Sequence, residues 1–79
     1  MTQLTLYYKP TCPYCQKVLN FLSGKEIAVP LKNILDEPIR QELIHIGGKQ
    51  QVPCLVIDGK ALYESNDIIA WFKEISRDA

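Results

Sequence analysis

The sequence predicts an α/β fold with the order strand, helix, strand, helix, strand, strand, helix. Three observations predict it. Apolar residues change from runs or alternation to a helical period and back along the chain. Proline, glycine and capping residues punctuate the changes. Between the last two apolar runs sits Asp58-Gly59, a strong hairpin signal. A chain of 79 residues makes one small domain, read here as 1–79, near the lower limit for an independent core.

The elements follow in order. Leu4-Thr5-Leu6-Tyr7-Tyr8 is short and rich in strand formers. Lys9-Pro10-Thr11 breaks it. From Pro13 to about Gly24 the pattern is helical, with Val18, Leu19 and Leu22 on one face and Cys15 one turn earlier. Pro13 suits a first turn and Gly24 a stop. Ile27 to Ile34 reads as a second strand, which Pro30 confines to an edge or interrupts. Asp36 is placed to cap a second helix with Glu37 and Pro38 in its first turn. Ile39, Leu43 and Ile46 form its stripe, and Gly47-Gly48 ends it. After the polar loop Lys49 to Pro53, Cys54-Leu55-Val56-Ile57 is a continuous apolar run, hence a buried strand. Lys60 to Tyr63 returns as its hairpin partner. Ser65 is placed to cap the last helix, whose stripe is Ile68, Ile69, Phe72 and Ile75. The first strand, helix and second strand make a right-handed crossover with parallel strands. The hairpin adds antiparallel strands, and helices cover both faces.

Composition excludes several classes. Hydrophobic residues make up 47% of the chain, as in an ordinary globular protein rather than a disordered one. Nine basic and nine acidic residues cancel, so no electrostatic case for nucleic acid arises. No apolar run approaches the roughly 20 residues that span a bilayer. Met1-Thr2-Gln3-Leu4 does not read as a signal peptide. The expected location is therefore the reducing cytosol. Three cysteines cannot all pair within one chain, so a secreted disulfide scaffold is not expected.

The chemistry concentrates at Cys12-Pro13-Tyr14-Cys15. Two residues between cysteines at a helix start bring both sulfurs within reach of one disulfide. A helix N-terminus has free N–H groups and partial positive charge, which favour thiolate, the nucleophilic form. Lys9 adds positive charge three residues upstream. In an open α/β sheet the passage from strand to helix is a usual place for a reactive group. The redox reading has Cys12 attack a disulfide and Cys15 resolve the mixed disulfide. The spacing also fits a zinc site, although zinc wants four ligands and only Cys54 and His45 remain as obvious donors. Two unrelated buried cysteines are the third reading. His45 reads as a partly exposed helix residue.

Two further stretches carry binding potential. A proline at Val52-Pro53 starts the buried strand. If that bond is cis, the Val52 N–H and C=O are left free to pair with an extended peptide backbone. Ser65-Asn66-Asp67 opens the last helix, where free N–H groups suit a carboxylate and Asp67 suits an ammonium. An amino-acid-like head group has both.

Together these residues resemble glutaredoxin over essentially the whole chain. The resemblance rests on Tyr-x-Lys-x-x-Cys-Pro-Tyr-Cys from Tyr7 to Cys15, on Val52-Pro53, on the Asp58-Gly59 hairpin and on the acidic start of the last helix. It implies the thioredoxin-like (glutaredoxin) fold, a four-stranded mixed sheet flanked by three helices, with a cis Val52-Pro53 bond. It implies a redox-active Cys12/Cys15 disulfide, with Cys12 as the nucleophile that becomes glutathionylated. Lys9, Tyr14 and Lys49 would line a glutathione groove, a basic group meeting the glycyl carboxylate. Val52, ahead of Pro53, would pair by backbone with the cysteinyl unit. Ser65, Asn66 and Asp67 would take the γ-glutamyl head.

The departures from that pattern matter. Gln51 stands where glutaredoxins usually have threonine, and Tyr63-Glu64 where they usually have Gly-Gly. Glu64-Ser65 looks like the pair in the glutathione transferase N-terminal domain, which shares the fold and binds the γ-glutamyl group there. Cys54 follows the proline directly and reads as a buried strand residue, with a third redox sulfur or a metal ligand as the alternative.

The activity this implies is glutathione-dependent reduction of protein disulfides and glutathionylated proteins. Glutathione serves as co-substrate, with no resident cofactor or metal, in a monomer. Three other readings stay open. One is an iron–sulfur carrier, which Pro13 disfavours. Another is a transferase-like N-terminal domain, for which 79 residues leave no second domain. The third is a redoxin reduced by thioredoxin reductase.

Overall fold

The computed structural model describes residues 3–76. Seven elements follow the expected order: β1 (Leu4–Tyr8), α1 (Pro13–Gly24), β2 (Leu31–Asn33), α2 (Glu37–Gly47), β3 (Cys54–Ile57), β4 (Lys60–Tyr63) and α3 (Ser65–Ser76). They form one four-stranded mixed sheet in the order β2-β1-β3-β4. β1 pairs with β2 in parallel and with β3 antiparallel, and β3 pairs antiparallel with β4. This is the thioredoxin-like fold.

The strand period of two divides the core into two layers. Leu6 of β1 and Leu55 of β3 point to one face, where they meet Val18 and Leu22 of α1 and Ile68 and Phe72 of α3. Tyr7, Cys54 and Val56 point to the other, where Leu43 of α2 and Ile34 close over them. The central position of β3 explains its unbroken apolar run: both faces are covered. Each fully buried aliphatic or aromatic side chain contributes roughly 1.5–3 kcal/mol over its exposed state. Trp71 meets Phe72 edge-to-face, ring centroids 5.2 Å apart.

Turn chemistry matches the sequence at two places. Asp58 and Gly59 have φ of 50° and 87°, the paired positive angles of a type I′ hairpin. Gly48 ends α2 in the left-handed region, φ 81°, and donates its N–H to the Ile44 carbonyl. Its neighbour Gly47 is needed for space instead, because a Cβ there would run into the hydroxyl of Tyr63.

The structure corrects four details. The second strand is shorter than Ile27–Ile34, and its ladder covers only Leu31–Asn33. Pro30 has no N–H to give a ladder, although its carbonyl accepts the Leu6 N–H at 2.9 Å. Ile27 and Val29 pack against the α1/α3 core from outside the ladder. Asp36 holds the N-cap position of α2 without a side-chain cap bond. α3 starts at Ser65 itself, and the Glu64 carbonyl accepts the Ile68 N–H at 3.0 Å, so the cap position falls on Glu64. Ile46 and Ile75 are exposed, and the half-buried Trp71 packs on the core in the turn before Ile75.

On the α2 face, Glu42 accepts hydrogen bonds from the Tyr7 hydroxyl and from Lys32, the latter at 2.6 Å. Lys32 and Tyr7 hold the Glu42 carboxyl below the usual carboxylate range. Burial, then Glu42, pushes the Tyr7 phenol upward. This cluster ties α2 to β1 and β2. Among the described residues, no helix is long and apolar enough to cross a membrane.

Candidate functional site

Cys12 occupies the N-cap of α1, with extended backbone angles (φ −89°, ψ 117°) and Pro13 in the first turn. The turn before it is closed by the Cys12 N–H to the Lys9 carbonyl at 3.1 Å. The Cys12 carbonyl accepts the Gln16 N–H at 3.0 Å, the first bond of the helix. Its sulfur accepts the Cys15 N–H at 3.4 Å. Across the gap, the Cys12 thiol faces the Val52 carbonyl at 3.9 Å. The Val52-Pro53 bond is cis, as the resemblance implied.

The three cysteines are free thiols in different surroundings. Cys12 is partly exposed, whereas Cys15 is wholly buried under α1. Burial, then the neighbouring Cys12 sulfur, pushes the Cys15 thiol up to about 12. Cys54 is also wholly buried, but in the layer under α2, and burial raises its thiol to about 11. Its partners are Tyr7 and Tyr63 on the flanking strands. The third sulfur therefore lies across the sheet from α1. Native protein treated with iodoacetamide at neutral pH is expected to take one adduct, at Cys12. Peptide mapping checks this, and adducts at Cys15 and Cys54 are expected only in denaturant.

Beside Cys12 runs an open groove of ≈ 620 Å³. Tyr14 from the first turn of α1, Val52 and Pro53 from the cis loop, and Ser65, Asn66 and Asp67 from the first turn of α3 line it. Six of the expected binding residues thus meet in one place. Lys9 and Lys49 do not line it. Lys49 instead lies over the Tyr63 ring, 4.5 Å from its centroid. Gln51 and Glu64 complete the lining and are linked at 3.2 Å, Gln51 donating its amide. Glu64 has a φ of 73°, which turns the chain sharply from β4 into α3. Lys17 donates to the Asn66 side-chain oxygen at 2.6 Å. No sequence motif announces that link, since it needs the packing of α1 against α3.

His45 is exposed in the last turn of α2, apart from the thiol pair. Among the described residues, no three His, Cys, Asp or Glu side chains gather as a metal-binding set.

A thiol pair at the first helix start, a cis proline loop facing it and this strand order define a glutaredoxin-like protein of the thioredoxin fold. The comparisons with known proteins agree and narrow the class. The chain belongs to the family described as glutathione S-transferase, N-terminal domain, which matches residues 6–78. It is 38% identical to mouse prostaglandin E synthase 2 over 66 residues, 82% of this chain and 17% of that one. It is 30% identical to glutaredoxin 3 of Escherichia coli K12 over 73 residues, 89% of this chain and 86% of that one. Among solved structures, glutathione transferase Omega 3C from Trametes versicolor superposes with a TM-score of 0.80 at 31% identity. That match covers 95% of this chain and 34% of the fungal one. The chain therefore spans about a sixth of the mouse protein and a third of the fungal transferase.

Proposed function

We propose that this protein is a glutathione-dependent thiol–disulfide oxidoreductase acting through Cys12 and Cys15. The observation that carries the reading is the Cys12 thiol facing the Val52 carbonyl at 3.9 Å, at the edge of a groove that ends on Ser65, Asn66 and Asp67. The Val52 backbone beside the Cys12 thiol suits the cysteinyl unit of glutathione, and the opening of α3 suits its γ-glutamyl head. Tyr14 offers a flat wall. Lys9 and Lys49, exposed outside the groove, are within the proposal only as cations that swing to the glycyl carboxylate when it binds.

The cycle is a pair of exchanges. Cys12 thiolate attacks the glutathionyl sulfur of a mixed disulfide. The Cys12–glutathione bond forms, the old S–S bond breaks, and the target protein leaves as thiolate. A second glutathione thiolate then attacks the bound glutathionyl sulfur, releasing oxidised glutathione and Cys12 thiolate. With a protein disulfide, Cys12 joins one target sulfur, and Cys15 then attacks Cys12 and frees the reduced target. Cys15 gives up its proton in that step, and the departing thiolate takes it. The Cys12 sulfur helps hold that proton on Cys15. Once Cys12 is bonded to substrate its charge is gone, which makes Cys15 easier to ionise at the moment it is needed. Glutathione is co-substrate throughout, and the scheme needs no metal or organic cofactor. The partners are glutathione and disulfide-containing or glutathionylated proteins.

A second reading has its own observation. The Gln51–Glu64 link, the sharp Glu64 turn and the following Ser65 favour a glutathione-binding module of the transferase N-terminal type. It would use the same groove to hold glutathione without turning over disulfides. The test is NADPH consumption on a glutathione mixed disulfide, with glutathione and glutathione reductase in one arm and thioredoxin reductase in the other. Turnover in the first arm is expected. Turnover in the second arm alone overturns the glutathione reading, and glutathione binding without turnover in either arm favours the transferase-type module. An iron–sulfur carrier would show itself by visible absorbance after reconstitution.

A further inference from the structure

Asn66 is shared between two surface grooves. One is the candidate glutathione groove, and the other runs between the outer sides of α1 and α3 and contains Lys17. From that second groove Lys17 reaches Asn66 and donates to its side-chain oxygen at 2.6 Å. An ammonium has donors and no acceptor, so it can engage only the oxygen of an amide. The oxygen and nitrogen of an asparagine are otherwise interchangeable by a half-turn of the amide. With the oxygen occupied, what Asn66 has left to offer is its NH₂ group. We propose that Lys17 is a positioning residue that fixes the polarity of the Asn66 amide, so that the Ser65–Asp67 end of the groove offers donors to a ligand carboxylate. This rests on the glutathione reading above and adds a residue from outside the groove to it.

The consequence is a division of labour at the γ-glutamyl subsite. The Asn66 NH₂ and the free N–H groups of the α3 start meet the carboxylate, while Asp67 meets the ammonium. Without Lys17 the amide can turn and present its oxygen to the same carboxylate, which repels it. The ammonium of Lys17 also favours a carboxylate nearby, though solvent weakens an exposed charge.

The test uses the difference between two ligands. Glutathione and cysteinylglycine share the cysteinyl-glycine unit and its carboxylate, and only glutathione carries the γ-glutamyl head. The free amine that cysteinylglycine has in its place alters the sulfur equally for every variant, so it cancels when their ratios are compared. Each is presented as a mixed disulfide with the same peptide thiol, and its transfer to Cys12 is followed in a single turnover. Wild type is expected to favour the glutathionyl substrate. In Lys17→Met the ratio of the two rate constants is expected to fall roughly 3–10-fold, the value of one partly exposed charge-assisted bond. Lys17→Arg keeps a donor and is expected to restore most of the ratio. Lys60→Met removes an equal charge from the hairpin and is expected to leave the ratio as in wild type. General damage to the fold or to Cys12 moves both rate constants together and cancels in the ratio. A Lys17→Met ratio equal to wild type overturns the positioning role while the glutathione reading stands. A wild type that does not prefer glutathione overturns the reading and the role together.

Discussion

Cys12→Ser is expected to abolish turnover of a glutathione mixed disulfide, and Cys15→Ser to keep it. The loss at Cys12 is set at roughly a thousandfold or more, because a serine hydroxyl with no adjacent general base does not replace a thiolate nucleophile. Cys12 is partly exposed and faces the carbonyl of Val52, which lines the groove, whereas Cys15 is wholly buried. On the proposed cycle a mixed disulfide is reduced with Cys12 and a second glutathione alone. In that cycle a protein disulfide needs Cys15, and Cys15→Ser is expected to trap the target as a stable mixed disulfide, visible by non-reducing gel and by mass. The measurement is NADPH oxidation coupled through glutathione reductase. Activity that survives Cys12→Ser, or trapping on Cys15 rather than Cys12, contradicts the assignment of roles.

Phe72→Ala is expected to cost about 3–5 kcal/mol of stability, the usual range for an aromatic truncated in a closed core. Phe72 is fully buried, packed with Leu6, Val18, Leu22, Leu55 and Ile68 and met edge-on by Trp71. Single domains have only about 0.05–0.15 kcal/mol per residue to lose, so a chain of this size is left close to unfolding. Urea denaturation followed by tryptophan fluorescence checks it. Phe72→Leu keeps most of the volume and is expected to cost about 1.5 kcal/mol or less. Ile75→Ala, three residues on but exposed, is expected to stay within about 0.5 kcal/mol of wild type. Equal losses for the two alanine variants would place the α3 contact somewhere other than Phe72. Because α3 also carries Ser65 to Asp67, Phe72→Leu reports whether loosening the helix weakens glutathione binding.

Much of this was readable from residue order. The strands β1, β3 and β4 and all three helices lie where period, proline and glycine put them, since those signals are local. Pro30 marks an edge strand, yet the ladder begins four residues after Ile27 and ends one before Ile34. The apolar Ile27 and Val29 look like strand residues because they are buried, and burial against α1 does not require a ladder. Glu64 rather than Ser65 falls at the cap of α3, and its positive φ is a property of the turn from β4. Composition does not show it. Within the site, Cys12, Cys15, Tyr14, Val52, Pro53 and Ser65 to Asp67 come together because short backbone segments carry them. Lysines are harder to read, since a long flexible stem lets the charge settle wherever tertiary neighbours draw it. Lys49 lies over Tyr63, and Lys17, which no motif singled out, reaches Asn66.

The placement of Cys54 limits what oxidation can do to this chain. Three thiols allow three intramolecular pairings. One of them, Cys15–Cys54, would draw Cys54 through the sheet, away from Tyr7 and Tyr63, and would break the layer that it shares with Leu43 and Val56. A disulfide closes only when the two cysteine backbones already stand within about 7 Å. The sheet thus acts as a partition between the sulfur under α1 and the sulfur under α2. For the dithiol proposed above, that partition keeps Cys15, the resolving sulfur, from a wrong internal partner.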